Sequence, residues 1–142
     1  MKTAKITILV LLLAMPAVVG STAYAADEAK KEQVQGEPEI TFAEKSYDFG
    51  FVPEDGGPVT HFFEFTNTGT APLIIISATA SCGCTRPNYP TEPIAPGKKG
   101  KIKVTYLPDG RPGEFDKTVK VMTNAKESKK ISLKIKGTVK PK

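Results

Sequence analysis

Apolar and polar side chains alternate along much of this chain, and this alternation restricts the fold more than any other sequence feature. In one segment Ile102, Val104 and Tyr106 alternate with lysine and threonine, and the same period of two recurs over 115–121 and 131–139. A period of two is that of a β-strand with one buried face, whereas a helix would repeat every 3.6 residues. The sequence therefore predicts strands and no long helix.

Clusters of glycine, proline, asparagine and aspartate separate these segments, about every 8–12 residues. About seven strands of this spacing are typical of an immunoglobulin-like β-sandwich, an all-β fold, which we predict over residues 39–142. The chain contains no tryptophan, so phenylalanine and aliphatic side chains must form its core. The turn clusters are 53–58, 67–72, 94–100, 107–113 and 124–128.

Three other segments give more local predictions. Residues 40–43 and 47–52 are predicted to form two short strands or one kinked strand. The unbroken apolar run from Leu73 to Ile76 predicts a strand over 73–80 that is buried on both faces, or that is covered by residues 26–38 or by a loop. The segment 86–90 contains two prolines and is predicted to be a turn region.

The N-terminal residues are predicted to direct export. Two lysines precede a short apolar run, and Ala23-Tyr24-Ala25 has the small-x-small pattern of a signal-peptide cleavage site. We therefore predict a signal peptide over 1–25, cleaved after Ala25, and a periplasmic or extracellular product without a transmembrane segment. Residues 26–38 are polar and charged without apolar periodicity, which predicts a disordered linker.

Charge is distributed unevenly along the chain. Residues 26–95 hold four basic and eleven acidic side chains, whereas 96–142 hold fourteen basic and four acidic ones. Most of the C-terminal lysines alternate with apolar residues, which places them on the solvent face of strands. No aromatic residues interleave with them in the pattern of a nucleic-acid site, so we expect no nucleic-acid partner.

Both cysteines lie in the segment Ser81-Cys82-Gly83-Cys84-Thr85, and three interpretations remain open. Cys82 and Cys84 could form a small-ring disulfide, which Gly83 would permit and which could take part in thiol–disulfide exchange. As thiolates they could bind Cu(I), with His61 or Met122 as a third ligand. They could also only shape a loop, as exported cysteines often do.

No other chemistry is indicated by the sequence. It contains no glycine-rich phosphate loop before a helix, no His-Glu-x-x-His motif and no acidic calcium loop. No serine, histidine and aspartate are connected by a catalytic motif, so we predict no catalytic residues and no enzyme activity. We expect no cofactor, with copper at the cysteine pair as the alternative.

Four motifs resemble those of a bacterial exported family of unknown function with an immunoglobulin-like fold. They are Tyr47-Asp48-Phe49-Gly50, Asn67-Thr68-Gly69, the segment from Ser81 to Thr85, and Pro96-Gly97. The resemblance covers residues 39–139, and the chain is more distantly similar to sperm-protein-like and pilus-chaperone-like sandwiches. It implies the fold and export, and no reaction.

Together these features predict an exported, non-enzymatic binding or scaffolding module with a protein or cell-surface partner. The alternative is a periplasmic thiol protein that uses Cys82 and Cys84 for redox exchange or for Cu(I) binding.

Overall fold

The strands form two four-stranded sheets, so the predicted all-β sandwich is confirmed. A computed structural model describes residues 36–142, in which no helix occurs. One sheet has the order β1-β3-β6-β5 and the other the order β2-β8-β7-β4. The strands are β1 (Ile40–Phe42), β2 (Ser46–Pro53), β3 (Val59–Asn67), β4 (Ile75–Ala80), β5 (Thr85–Asn88), β6 (Lys99–Tyr106), β7 (Gly113–Thr123) and β8 (Lys130–Lys140).

The segments 40–43 and 47–52 form two strands that belong to different sheets. β1 pairs antiparallel with β3, whereas β2 pairs parallel with β8. The three residues between them, 43–45, carry the chain from one layer to the other. The parallel pair joins the beginning of the domain to its last strand, which is the kind of non-local pairing that periodicity does not specify.

The alternating residues point inward, as predicted, and aromatic rings fill much of the space between the sheets. Phe42 and Phe65 lie with ring centroids 5.6 Å apart, and Tyr106 stacks on Phe115 at 3.9 Å. Burial raises the pKa of the Tyr106 hydroxyl above its usual value, an effect that the positive charge of Arg111 partly offsets. The largest fully buried aliphatic side chains are Leu73, Ile102, Val104, Val119, Val121, Leu133, Ile135 and Val139.

The prediction for the apolar run 73–80 was wrong in two respects. The strand begins at Ile75, because Leu73 instead forms an isolated bridge with Ile94. The run is also not buried on both faces: Leu73 and Ile75 are buried, while Ile74 and Ile76 are exposed. The residues 36–142 form only two layers, so the outer face of β4 has no layer of these residues above it.

The prediction of a proline-rich turn at 86–90 was also wrong in part. Residues Thr85–Asn88 form strand β5, which adds one strand to the seven that we predicted. β5 pairs antiparallel with β6, in a register that sets Thr85 opposite Tyr106. Pro87 is tolerated because β5 lies at the edge of its sheet, where a residue without an N–H need not interrupt a second ladder.

Residues 36–38 lie against the turn that follows β3. Glu37 receives a hydrogen bond on its carbonyl oxygen from the Thr70 N–H at 2.9 Å, and its own N–H donates to Thr70 Oγ1 at 3.2 Å. The Glu37 carboxylate pairs with Lys126 in the β7–β8 turn. The signal-peptide prediction and residues 26–35 of the predicted linker lie outside the described residues.

Candidate functional site: the disulfide loop and the β4 edge

The two cysteines lie in the loop that crosses from β4 to β5, at the end of the sandwich opposite to residues 36–38. A disulfide joins Cys82 to Cys84, with Cα atoms 5.3 Å apart. The Ser81 N–H donates to the Thr118 carbonyl at 3.0 Å, and the Leu107 N–H donates to the Cys84 carbonyl at 2.9 Å. These bonds attach one end of the loop to each sheet.

The two sulfur atoms lie in different surroundings. Cys84 is 5% exposed and belongs to the core, whereas Cys82 is only partly buried and lies between exposed Ser81 and exposed Gly83. Thr85 is 3% exposed, and its Oγ1 lies 3.8 Å from both sulfurs. Thr85 was not among the predicted site residues. Its position depends on a tight turn, in which its N–H donates to the Cys82 carbonyl at 3.3 Å.

Gly83 does not have the role that we predicted for it. It is not among the glycines with positive φ, and a Cβ added at this position would have no neighbour within 4 Å. An L residue could therefore adopt this backbone. The main consequence of the glycine is that no side chain covers the disulfide from this side.

The structure does not bring the predicted copper ligands together. His61 lies on β3, with β6 between it and β5, and its ring stacks on Tyr47 at 3.6 Å while Nε2 contacts a Glu44 carboxylate oxygen at 2.6 Å. Met122 lies four residues along β7 from Thr118, about 13 Å by strand geometry. No group of three or more His, Cys, Asp or Glu side chains within 36–142 could hold a metal ion.

β4, which leads into the disulfide loop, also has the least protected of the four sheet edges. β1 has three residues, and β5 has four including Pro87. β2 is irregular between Asp48 and Phe51, and Lys140 lies over the Phe51 ring at 4.2 Å. β4 has six residues without charge or proline, although an irregularity follows Ile75. Short length, proline, charge and bulges protect edge strands from pairing, and β4 has only the bulge.

Exposed apolar side chains lie beside this edge. Ile76 is 55% exposed, and Ile74 and Met122 are also exposed. Met122 lies across from Ser77 in the β4–β7 pair. We call Ile74, Ile76 and Met122 the β4 patch.

Lysines extend from the β4 patch over the outer face of the same sheet. Lys120 lies opposite Thr79, and Lys130 lies opposite Met122. Lys120, Lys130 and Lys134 are exposed, and none of them is in an ion pair with another described residue. The surface around the β4 patch is therefore positively charged.

Residues 40–139 match the model of a protein family described as Protein of unknown function (DUF1573). This match covers nearly the whole sandwich and confirms the predicted resemblance to a family of unknown function.

The chain is a member of the DUF1573 family.

Solved structures similar to this DUF1573 chain share its fold at low sequence identity. A protein of unknown function from Porphyromonas gingivalis has a TM-score of 0.60 and 18% identity, over 72% of this chain and 46% of that one. The VesB protease of Vibrio cholerae has a TM-score of 0.57 and 14% identity, over 72% of this chain and 32% of that one. An ASH/PapD-like domain of human CEP192 has a TM-score of 0.55 and 13% identity, over 99% of both chains.

This DUF1573 chain spans less than half the length of the first two of these proteins. At such identities the likeness shows the fold alone. No curated protein matches the chain. Within residues 36–142, no helix is long and apolar enough to cross a membrane.

Proposed function

We propose that the protein is an exported binding module that takes an extended segment of a partner protein as an additional strand along β4. The observation that carries this proposal is the uncharged, proline-free edge of β4 beside exposed apolar side chains. An edge strand presents unpaired N–H and C=O groups, and partner proteins use such edges for strand addition.

The backbone pairing indicates which groups of β4 an added strand would use. Ser81 bonds to Thr118 on β7 through its backbone N–H. In an antiparallel pair the bonded residues alternate with residues whose N–H and C=O point away from the partner. By this alternation Ala78 and Ala80 direct their N–H and C=O away from β7, toward the free edge.

The side chains beside the edge define the chemistry of the partner. The β4 patch favours apolar side chains on the face of the added strand that lies next to Ile76. The unpaired Lys120 and Lys130 favour acidic side chains at the neighbouring positions, and they would accelerate encounter with an acidic segment. The expected partner is therefore an exported protein with an extended segment that combines apolar and acidic residues.

Site-specific photo-crosslinking in the exported fraction tests this proposal. A photoreactive phenylalanine analogue replaces Ile76 in one variant and Phe62 in the control. Phe62 is 50% exposed, close to the 55% of Ile76, but it lies on the other sheet. We expect discrete protein adducts from position 76 and none from position 62. Equal adducts at both positions would contradict strand addition at β4.

A second substitution tests whether the partner pairs with the backbone. Ala78→Pro, combined with the crosslinker at position 76, removes an N–H that has no role in the β4–β7 pair, and we expect the adducts to disappear. Ala78→Gly keeps this N–H and is the matched control. Adducts that persist in Ala78→Pro would show binding through side chains alone and would overturn the proposal, provided that urea unfolding shows the variant to be folded.

A further inference from the structure

The disulfide loop has an asymmetry that a purely structural crosslink does not require. Cys84 is held at the start of β5, because its carbonyl accepts a hydrogen bond from the Leu107 N–H and the next residue begins the strand. Cys82 precedes Gly83, which is exposed and has open space where a side chain would lie. A nucleophile can therefore approach the sulfur of Cys82 from solvent, whereas the sulfur of Cys84 is shielded by the core.

The Thr85 hydroxyl is the second observation. This side chain is 3% exposed, and its hydroxyl has only the two sulfurs as hydrogen-bond partners within the described residues. A buried hydroxyl normally bonds to an oxygen or nitrogen acceptor, because sulfur is a weak one. A thiolate is a much stronger acceptor than a disulfide sulfur, so this hydroxyl has its best partner when the disulfide is open.

We propose that Cys82–Cys84 is a reversible thiol–disulfide exchange site that oxidises exposed cysteine thiols of exported proteins, with Cys82 as the attacked sulfur and Cys84 as the leaving sulfur. The thiolate of a substrate cysteine attacks Cys82 Sγ. The Cys82–Cys84 bond breaks, its electron pair remains on Cys84 Sγ, and a mixed disulfide joins the substrate to Cys82. The Thr85 O–H donates a hydrogen bond to the Cys84 thiolate.

A second cysteine of the substrate completes the reaction. Its thiolate attacks the substrate sulfur of the mixed disulfide, which releases Cys82 as a thiolate and leaves a disulfide in the substrate. Two substrate thiols are thereby oxidised and the Cys82–Cys84 disulfide is reduced, and the two protons lost by the substrate balance those taken up by the two protein thiolates. A low-molecular-weight disulfide reverses the change in the protein.

The position of Thr85 bears on the rate of this step. Exchange is faster when the leaving thiolate is more stable, and a hydrogen bond to the charged form of a group stabilises that form. The hydroxyl is already in place at 3.8 Å from Cys84 Sγ, so little rearrangement is needed when the bond breaks. The ring spans residues only two apart in sequence, so opening it releases little of the chain.

Reaction with reduced glutathione tests the direction of attack without a natural partner. The full exported chain is incubated with glutathione under native conditions, free thiols are alkylated, and the peptides are analysed by mass spectrometry. We expect glutathione on Cys82 and the alkyl group on Cys84. Glutathione on Cys84, or equal labelling of both, would overturn the assignment. Reduction no faster than global unfolding would overturn the exchange site itself.

Thr85→Val and Thr85→Ser test the hydroxyl. Valine has the shape of threonine without the hydroxyl, and we expect reduction by glutathione to slow by about threefold to tenfold, as lost stabilisation of the leaving thiolate implies. Thr85→Ser should restore most of the rate. A Thr85→Val variant that is reduced as fast as the natural protein would overturn the role of the hydroxyl. A Thr85→Ser variant as slow as Thr85→Val would also overturn it, because serine keeps the hydroxyl.

Discussion

Gly100 and Gly83 show how differently two glycines of one chain constrain a fold. Gly100 lies on β6 opposite Phe65, and a Cβ added there would collide with the Phe65 ring. Phe65 is 1% exposed and belongs to the core, so its ring is surrounded by other side chains. At Gly83 an added Cβ would meet nothing. The first glycine is required by packing, and the second leaves open space beside the disulfide.

Gly100→Ala and Gly83→Ala should therefore change stability in opposite directions. We expect Gly100→Ala to lower the free energy of unfolding by about 1–3 kcal/mol, the usual cost of overpacking a core. Gly83→Ala should raise it by about 0.4–1 kcal/mol, because alanine restricts the unfolded chain at a position whose backbone it can adopt. Urea unfolding of the three proteins measures both changes. A Gly100→Ala variant of unchanged stability would contradict the packing described here.

At the scale of single residues, the sequence predicts side-chain direction better than chemistry. The inward positions of Ile102, Val104 and Leu133 follow from a period of two, which is local information. The proximity of Cys82 and Cys84 also follows from their spacing. The contact of Thr85 with both sulfurs does not, because it depends on a turn geometry that many sequences with this spacing would not adopt.

Strand β4 shows what periodicity leaves undetermined at the scale of one element. The run from Leu73 to Ile76 is continuously apolar, which is typical of a strand covered on both faces. Its position at the end of a sheet is decided by pairing with β7, more than thirty residues later, and not by its own sequence. The same exposed isoleucines that contradict the local prediction are those that support a binding role.

The turn at the end of β3 depends on one buried side chain. Asn67 donates from Nδ2 to the carbonyls of Ala71 and Ile94, both at 2.8 Å, and accepts from the Gly69 N–H at 3.0 Å. Asn124 makes comparable bonds, accepting from the Ile74 N–H and donating to the Pro72 carbonyl, but it is exposed. The two asparagines therefore differ in burial more than in bonding.

Asn67→Ala should destabilise the protein much more than Asn124→Ala. Loss of the Asn67 amide leaves the Ala71 carbonyl without its partner and the Ile94 carbonyl with the Leu73 N–H alone. We expect a cost of about 2–4 kcal/mol, whereas water replaces the partners of Asn124 and its loss should cost about 1 kcal/mol. Chemical denaturation monitored by tyrosine fluorescence measures the difference. Equal losses of stability in the two variants would show that burial does not determine how much each asparagine contributes to the free energy of unfolding.

At the scale of the whole molecule, backbone hydrogen bonds between paired strands stabilise the fold, and the disulfide adds little to this. β7 and β8 are paired over ten positions, and β3 and β6 over eight. The sequence predicts the two layers, but it does not predict the parallel β2–β8 pair, because nothing local distinguishes a parallel partner from an antiparallel one.

The double variant Cys82→Ser/Cys84→Ser should therefore keep the β-sheet structure. Closing so short a loop removes little entropy from the unfolded chain, so we expect the free energy of unfolding to fall by only about 1–2 kcal/mol. Circular dichroism and urea unfolding of the variant and of the disulfide-bonded natural protein check both points, and the reduced natural protein is the control for the serine substitutions. A variant that is unfolded in buffer would show that the loop organises the sandwich.

The segment 36–38 and the disulfide lie at opposite ends of β4, since Glu37 contacts the turns at 70 and 126 while Ser81 contacts Thr118. A partner or a surface attached at residues 36–38 would therefore leave the two sulfur atoms at the opposite end of the sandwich. Attachment at residues 36–38 should therefore preserve access to the thiol chemistry.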